Sequence, residues 1–272
     1  MKLSCSSQSL DALFMGKFMD LKKYIKYSAE ELGLKYVELE DKHFESASNE
    51  YIDTINTELK KYGVEVCNIA FDCSFGYLSK EENDRELERA RQWMKIGKKL
   101  GSKNFRVFAG WIGGLDQGIG KNGLPIKKEK EAWQAMIGYI RAACDYAREL
   151  DLDVVIENHN HGGFLSSSED VLRLFNEVPK DNLSLLLDTG NYVDGIPGIE
   201  RTIHLVKKYV HVKINEIKDD GKDNVYDLDT ILNIIKKGGF EGFLSIEYEG
   251  NQDVFTYLPK VVNFIKNFFS KN

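Results

Sequence analysis

The chain has 272 residues, with 37 Lys plus Arg against 43 Asp plus Glu, a formal net charge of −6. Hydrophobic residues at 42% and aromatics at 11% supply a packed core and exclude a disordered chain. The acidic balance, without a dense Lys/Arg stripe, argues against a nucleic-acid binder, and no apolar run is long enough to cross a membrane.

Taken in order, short β-type runs alternate with longer runs of helical period. Lys2–Ser6 reads as the first strand, with no signal peptide around it, so a cytoplasmic location is expected. Leu21, Tyr24, Ile25, Ser28, Ala29 and Leu32 repeat at helical spacing, with Asp20 as N-cap and Gly33 past the end. Strands follow at Tyr36–Leu39 and Glu65–Ile69, and Ser79-Lys-Glu-Glu82 is a capping box opening another helix. After a strand at Asn104–Phe108 comes a G-x-G-x-x-G match, Gly118 to Gly123. It neither ends a strand nor opens a helix directly, so it reads as a loop and not as a dinucleotide site. Trp133, Met136, Ile137, Ile140, Ala143, Cys144 and Ala147 form the next helical face. The remaining strands are Asp153–Glu157, Leu183–Asp188, a short His211–Lys213 and Phe243–Glu247. The last helix is built on Phe255, Leu258, Val262 and Ile265. Asn182-Leu-Ser184 matches a glycosylation sequon, but it falls in a strand of a non-secreted chain and is discarded. Cys5, Cys67, Cys73 and Cys144 include no Cys-x-x-Cys pair and read as free thiols.

Eight strand–helix units average 34 residues each, the size of a βα unit. Strict alternation implies a parallel sheet, and eight units imply a closed (β/α)8 TIM barrel, a single domain over residues 1–272. An open doubly wound sheet fits less well, because no glycine turn follows the first strand.

Function in such a barrel sits at the C-terminal ends of the strands. Strands five to eight bring Glu157, Asp188, His211 and Glu247 to one rim. Three carboxylates that close repel unless a cation neutralises them, and three carboxylates with one imidazole suit Mn2+, Mg2+ or Co2+, with Zn2+ also compatible. Lys213 shares a face with His211 and either stabilises an anionic oxygen of the substrate or neutralises a carboxylate. His159 is expected to contact substrate and His161 to be a loop residue; His43 and His204 are read as structural. Trp111, after strand four, is either a pocket wall or packing. Glu38 and Arg106 are lone charges in the apolar strands two and four. Alternate strands fill one interior layer, so the two are expected to pair and to hold the pocket floor.

The runs Ile-Glu157-Asn-His, Leu-Asp188-Thr-Gly-Asn191, His211-Val-Lys213 and Gly-Phe-Leu-Ser-Ile-Glu247-Tyr-Glu-Gly resemble the xylose isomerase-like TIM barrel superfamily. The likeness is greatest to its sugar phosphate isomerase/epimerase branch. It extends to Gly33-Leu-Lys-Tyr-Val-Glu38-Leu and Arg106-Val-Phe-Ala-Gly110. The resemblance implies that Glu157, Asp188, His211 and Glu247 bind one divalent metal. It also implies that the two glutamates handle protons on opposite faces of a ketose. The chain departs from ketose 3-epimerases at Asn191, where they carry His and where a substrate contact is expected, and at Ile217, where they carry Arg. The run Lys218 to Asn224 also lacks the Gly-x-Gly of some sugar-phosphate relatives.

The implied activity is isomerisation or epimerisation of a sugar or sugar phosphate through an enediolate, needing a divalent metal and no organic cofactor. The alternative is a metal-dependent dehydratase, in which the same enolisation expels a β-hydroxyl. An apurinic-site endonuclease is a remote third, disfavoured by five histidines and a net −6. The expected partner is a small sugar, not nucleic acid or membrane. The family often forms homo-oligomers, but no stretch of sequence locates an interface.

Overall fold

Eight runs rich in Val, Ile, Leu and aromatic residues form the strands, buried on both faces as parallel strands are. They are β1 Lys2–Ser6, β2 Tyr36–Glu40, β3 Glu65–Ala70, β4 Asn104–Phe108, β5 Asp153–Glu157, β6 Leu183–Asp188, β7 Tyr209–Ile214 and β8 Phe243–Tyr248. They pair in sequence order, all parallel, and β1 closes on β8 through Lys2↔Phe243 to Cys5↔Ile246. The structure, a computed structural model, describes residues 1–113, 126–160 and 162–270; the Gly118 to Gly123 run and His161 lie outside these.

The expected (β/α)8 barrel is the fold, as a single domain. Four strands differ in extent: β2, β3 and β8 each run one residue further than expected, and β7 is longer at both ends. β7 begins at Tyr209 and not at His211, because Tyr209 and Val210 already pair with Leu186 and Leu187 on β6 and with Phe243 and Leu244 on β8. Tyr209 also has a buried polar environment, its hydroxyl 3.3 Å from Ser4 Oγ and 3.2 Å from Cys67 Sγ. With Cys67, Val155 and Leu186 it forms a small apolar cluster in the barrel.

The helices are α1 Asp11–Met15, α2 Leu21–Glu30, α3 Asn49–Tyr62, α4 Lys80–Lys99, α5 Ile126–Glu149, α6 Ser168–Glu177, α7 Ile196–Thr202, α8 Leu228–Lys237 and α9 Val254–Ser270. Asp20, Ser48, Ser79, Ser167 and Asp227 cap α2, α3, α4, α6 and α8, each accepting a backbone N–H three residues on. A cap of this kind is worth about 1 kcal/mol. The periodic face of α5 is buried from Trp133 to Ala147. In α9, Leu258, Val262 and Ile265 are buried, but Phe255 is 50% exposed and departs from that face. All four cysteines are free and buried. Among the described residues no helix is long and apolar enough to cross a membrane.

Register explains what the strand ends deliver. Glu40 aligns with Ala70, and Ala70 with Arg106, so Arg106 stands level with Glu40 and two residues above Glu38. A bulge at Cys67 sets this offset, since Val37 pairs with Val66 but Glu38 with Asn68. On the far side Asp188 aligns with His211, and Lys213 with Glu247.

Candidate active site

Glu157 and Asp188 are the last residues of their strands, β5 and β6, while Glu247 stands one before the end of β8 and His211 is the third residue of β7. All four are buried, and one ligand atom from each lies within 4.8 Å of one from every other. His211 Nδ1 is 3.3 Å from Glu247 Oε1, 3.8 Å from Glu157 Oε1 and 3.9 Å from Asp188 Oδ2.

The other polar atom of each residue is held from outside this group. Arg106 donates to Glu157 Oε2 at 3.0 Å, and the Gly190 N–H donates to Asp188 Oδ1 at 2.8 Å. Lys213 donates to Glu247 Oε2 at 2.5 Å. His211 Nε2 meets both oxygens of Glu38 at 2.9 and 3.0 Å; a carboxylate only accepts, so Nε2 carries the proton. The inward atoms Asp188 Oδ2 and His211 Nδ1 are buried without a hydrogen bond, although the Lys213 ammonium stands 3.0 Å from Asp188 Oδ2. Buried polar atoms left this way are uncommon.

The electrostatics describe a centre crowded with negative charge. Burial, then the nearby Glu247 and Glu157, push the Asp188 carboxyl well above its ordinary range, against the pull of Lys213. Burial would lower the His211 imidazole, but Glu247, Glu38 and Glu157 together hold it well above its usual value. Burial would likewise raise Glu157 and Glu247. Arg106 and His211 hold Glu157 below the carboxylate range, and His211 and Lys213 hold Glu247 well below it.

A cleft of about 220 Å³ opens over this centre. Glu157 and Glu247 line it, whereas Asp188 and His211 do not. Trp111 and His159 also line it, stacked edge-on with ring centroids 4.9 Å apart, and Phe108 packs edge-on against both. Trp111 is set there by the β3 and β4 loops. Its backbone N–H donates to Ser74 Oγ at 3.1 Å, and Gly110, at φ +93°, leaves no room for a Cβ against Ser74. Lys213 lines the cleft and meets Asp188, Glu247 and, at 3.1 Å, Glu249.

Two expectations are corrected. Glu38 and Arg106 are both buried in the barrel, but no ion pair joins them. The register lifts Arg106 one layer higher, where it meets Glu157, Asp72 at 2.5 Å and Glu40 at 3.6 Å. Glu38 instead holds His211 and accepts from Asn68 Nδ2 at 3.1 Å. Asn191 does not line the cleft; its buried amide donates to Glu157 Oε1 at 3.3 Å and to the Asn158 carbonyl. His43, as expected, is structural, bonded to Ser7 and Asp11 and stacked on Phe14, and His204 sits exposed on the outer turn Ile203–Leu205.

Sequence reasoning missed Glu40, Lys42, Asp72 and Glu249, which ring the mouth of the cleft. The signal was present. Glu40 ends β2, Asp72 follows β3 by two residues, and Glu249 stands two residues past Glu247, on the same face by strand period. Lys42 bridges Glu40 at 3.2 Å, Asp11 at 3.0 Å and Gln8 at 2.7 Å.

A probable 3-DHS dehydratase from Bacillus anthracis has TM-score 0.74 and 17% identity, covering all of both chains. A 3-keto-D-glucoside 4-epimerase from E. coli has TM-score 0.76 and 15% identity, covering 99% of each. At such identities the likeness is one of fold. An inosose dehydratase from Geobacillus thermodenitrificans (strain NG80-2) is 24% identical over 170 residues, 52% of this chain and 56% of that protein. The match thus spans about half the length of that curated relative. Residues 27–268 match the family described as xylose isomerase-like TIM barrel, and the chain belongs to that family.

Proposed function

We propose that this protein is a divalent-metal-dependent isomerase or epimerase of a sugar or sugar phosphate, with Glu157 and Glu247 as its proton-handling groups. One observation carries the reading: of the four convergent residues, only these two glutamates also line the cleft.

The donor set fits a cation. Two of its inward atoms lack hydrogen bonds, and each of the four residues has its other polar atom fixed by a neighbour. Oxygen and imidazole donors suit Mn2+, Mg2+, Co2+ or Zn2+, held by Glu157, Asp188, His211 and Glu247. When bound, such an ion would polarise a substrate carbonyl and acidify the C–H beside it.

The chain's own groups do the rest. Arg106 and His211 keep Glu157 ionised, and His211 and Lys213 keep Glu247 so, and each can then accept a proton at the substrate carbon. The glutamates approach from β5 and β8, with Asp188 and His211 between them on β6 and β7, which suits proton transfer on opposite sides of a substrate. Trp111, Phe108 and His159 supply an aromatic wall on one flank of the cleft.

A dehydratase is the second reading. It is favoured by the printed names of two similar proteins and by the Lys213 ammonium, whose fixed positive charge stands in the cleft beside Glu247, where a departing hydroxyl would develop negative charge. The test is to load the purified protein with Mn2+ and incubate it in D2O with ketoses, ketose phosphates and cyclic keto-polyols, followed by NMR. Deuterium beside the carbonyl in an isomeric sugar supports the first reading. A conjugated enone or diketone supports the second. Absence of exchange with every compound would overturn both.

A further inference from the structure

We infer that, with the reacting sugar in the cleft as the proposed function requires, a second hollow between the β1 and β8 loops takes an uncharged second sugar ring joined to it. Three features carry this: where the hollow lies, what holds its walls and what lines it.

The hollow has a volume of about 440 Å³ and opens on the same rim as the cleft. Its walls are the chain after β1, from Gln8 to Leu13, and the chain from the end of β8, Tyr248 to Phe255. Gln8 and Glu249 line the cleft as well, so the two cavities meet at these side chains. Trp111, Phe108 and His159 wall the cleft at the ends of β4 and β5, and β8 and β1 lie diametrically across the barrel. An extended substrate therefore has its way out toward the hollow. At about 220 Å³ the cleft alone falls short of the roughly 300–1,000 Å³ usual for sites that enclose a drug-sized ligand, and with the hollow it comes within that range.

The walls are fixed by their own hydrogen bonds. Ser9 Oγ donates to the Ile246 carbonyl at 3.1 Å and accepts the Tyr248 N–H at 2.9 Å, which ties the β1 loop to β8. The Gln252 side chain accepts the Ile217 N–H at 2.6 Å and donates to the Ile217 carbonyl at 2.9 Å. At Gly250 a Cβ would strike the Asn215 carbonyl, so glycine lets this loop lie close against the chain after β7. A site already formed binds without the cost of ordering its loops.

The lining decides the ligand. Asp11, Glu249 and Asp253 supply carboxylates and Gln8 and Asn251 supply amides, and among the described residues no Lys, Arg or His lines the hollow. Hydroxyl groups, which donate to carboxylates and accept from amides, suit this set, whereas a phosphate meets like charge. Gln8 accepts from Lys42 through Oε1 at 2.7 Å, so its Nε2 is the donor that a ligand at the junction meets. Leu10, Leu13 and Phe255 give apolar surface for the C–H face of a sugar ring. Phe255 is 50% exposed, and its place on this wall accounts for its standing off the buried face of α9.

The test is calorimetric binding to the whole, Mn2+-loaded protein of fructose, fructose phosphate and three fructose disaccharides. Turanose, lactulose and isomaltulose serve, because each carries its second ring on a different fructose oxygen. At least one disaccharide should bind ~10-fold or more tighter than fructose or fructose phosphate, since a fitted ring adds contacts at little ordering cost. N251W, which fills the hollow from an exposed position, and F255S, which removes its apolar wall, should each erase that gain, with fructose affinity and circular dichroism unchanged. Failure of every disaccharide to bind tighter than fructose would overturn the proposal. Tighter binding of fructose phosphate than of every disaccharide would do the same, as would a gain that survives in both variants. Deuterium exchange in D2O on the same samples reports separately on the reaction. A gain that both variants lose, without exchange into any sugar, would keep the hollow and count against enolisation in the cleft; exchange into fructose without any gain would do the reverse.

Discussion

Glu38 grips His211 at Nε2 with both carboxylate oxygens, and both side chains are wholly buried. The contact joins β2 to β7 across the barrel and aims Nδ1 at the three carboxylates. Burial would raise the Glu38 carboxyl, but His211, then Arg106 and the Asn68 amide, hold it low and therefore charged. A carboxylate behind an imidazole fixes its tautomer and strengthens it as a ligand. E38Q should keep the fold and lower the affinity for Zn2+ or Mn2+ by ~10–100-fold, the usual scale for losing such a partner. Calorimetric titration of the metal into the apo protein measures this. Equal affinity in E38Q and wild type would make Glu38 structural only.

Lys213 occupies the place of a competitor. Its ammonium lies 3.0 Å from Asp188 Oδ2 and 2.5 Å from Glu247 Oε2, two residues of the candidate metal set. Burial would lower its pKa, but Asp188, Glu247 and Glu249 hold it well above the ordinary lysine value, so it stays charged. A cation entering among the same carboxylates must work against that charge. K213M should therefore bind bare Mn2+ about tenfold tighter, about 1.4 kcal/mol, while losing turnover. Weaker Mn2+ binding in K213M would show that Lys213 organises the carboxylates instead of competing for them.

Arg106 faces three carboxylates, Glu157, Asp72 and Glu40, from a fully buried position on β4. Removing one partner of a buried ionic group strands the others, at about 3–5 kcal/mol. R106M should lose stability on that scale in urea denaturation, and R106K less, because an ammonium keeps the charge but not the forked geometry. A stability loss under about 1 kcal/mol in R106M would mean that the carboxylates find other partners.

What the sequence made legible follows from what periodicity can carry. Strand ends are visible as apolar runs stopping at a charge, so Glu157, Asp188 and Glu247 could be set on one rim. The pairing of Glu38 with Arg106 failed because it depends on register. The bulge at Cys67 and the stagger through Ala70 raise Arg106 above Glu38, and neither leaves a mark in composition. Asn191 was read as facing substrate because it stands where relatives carry His. It turns inward because Glu157 and the Asn158 carbonyl, from the neighbouring β5 end, accept its amide protons. The mouth residues Glu40, Asp72 and Glu249 were readable by the same strand-end rule, applied to β2, β3 and the extension of β8.

Glu40 gives the clearest dependence on pH. It is buried at the cleft mouth, between Arg106 and Lys42. Burial, opposed by Arg106 and reinforced by Asp72, pushes its carboxyl up from 4.5 to about 8. The folded protein therefore keeps a proton on Glu40 between about pH 4.5 and 8, where the unfolded chain has released it. The contribution to stability is complete below about 4.5 and is lost as the pH rises through about 8. Gln mimics the protonated carboxyl and does not titrate. E40Q should thus melt near the wild-type temperature at pH 5 and several degrees above it at pH 9, a difference worth up to a few kcal/mol. Asp41, pushed up to about 6 by burial and by Asp72, acts in the same direction but is present in both proteins, so it drops out of the comparison. Melting curves of the two proteins from pH 5 to 9 test this. If their difference is constant across that range, Glu40 is ionised in the fold, and Arg106 and Lys42 outweigh its burial.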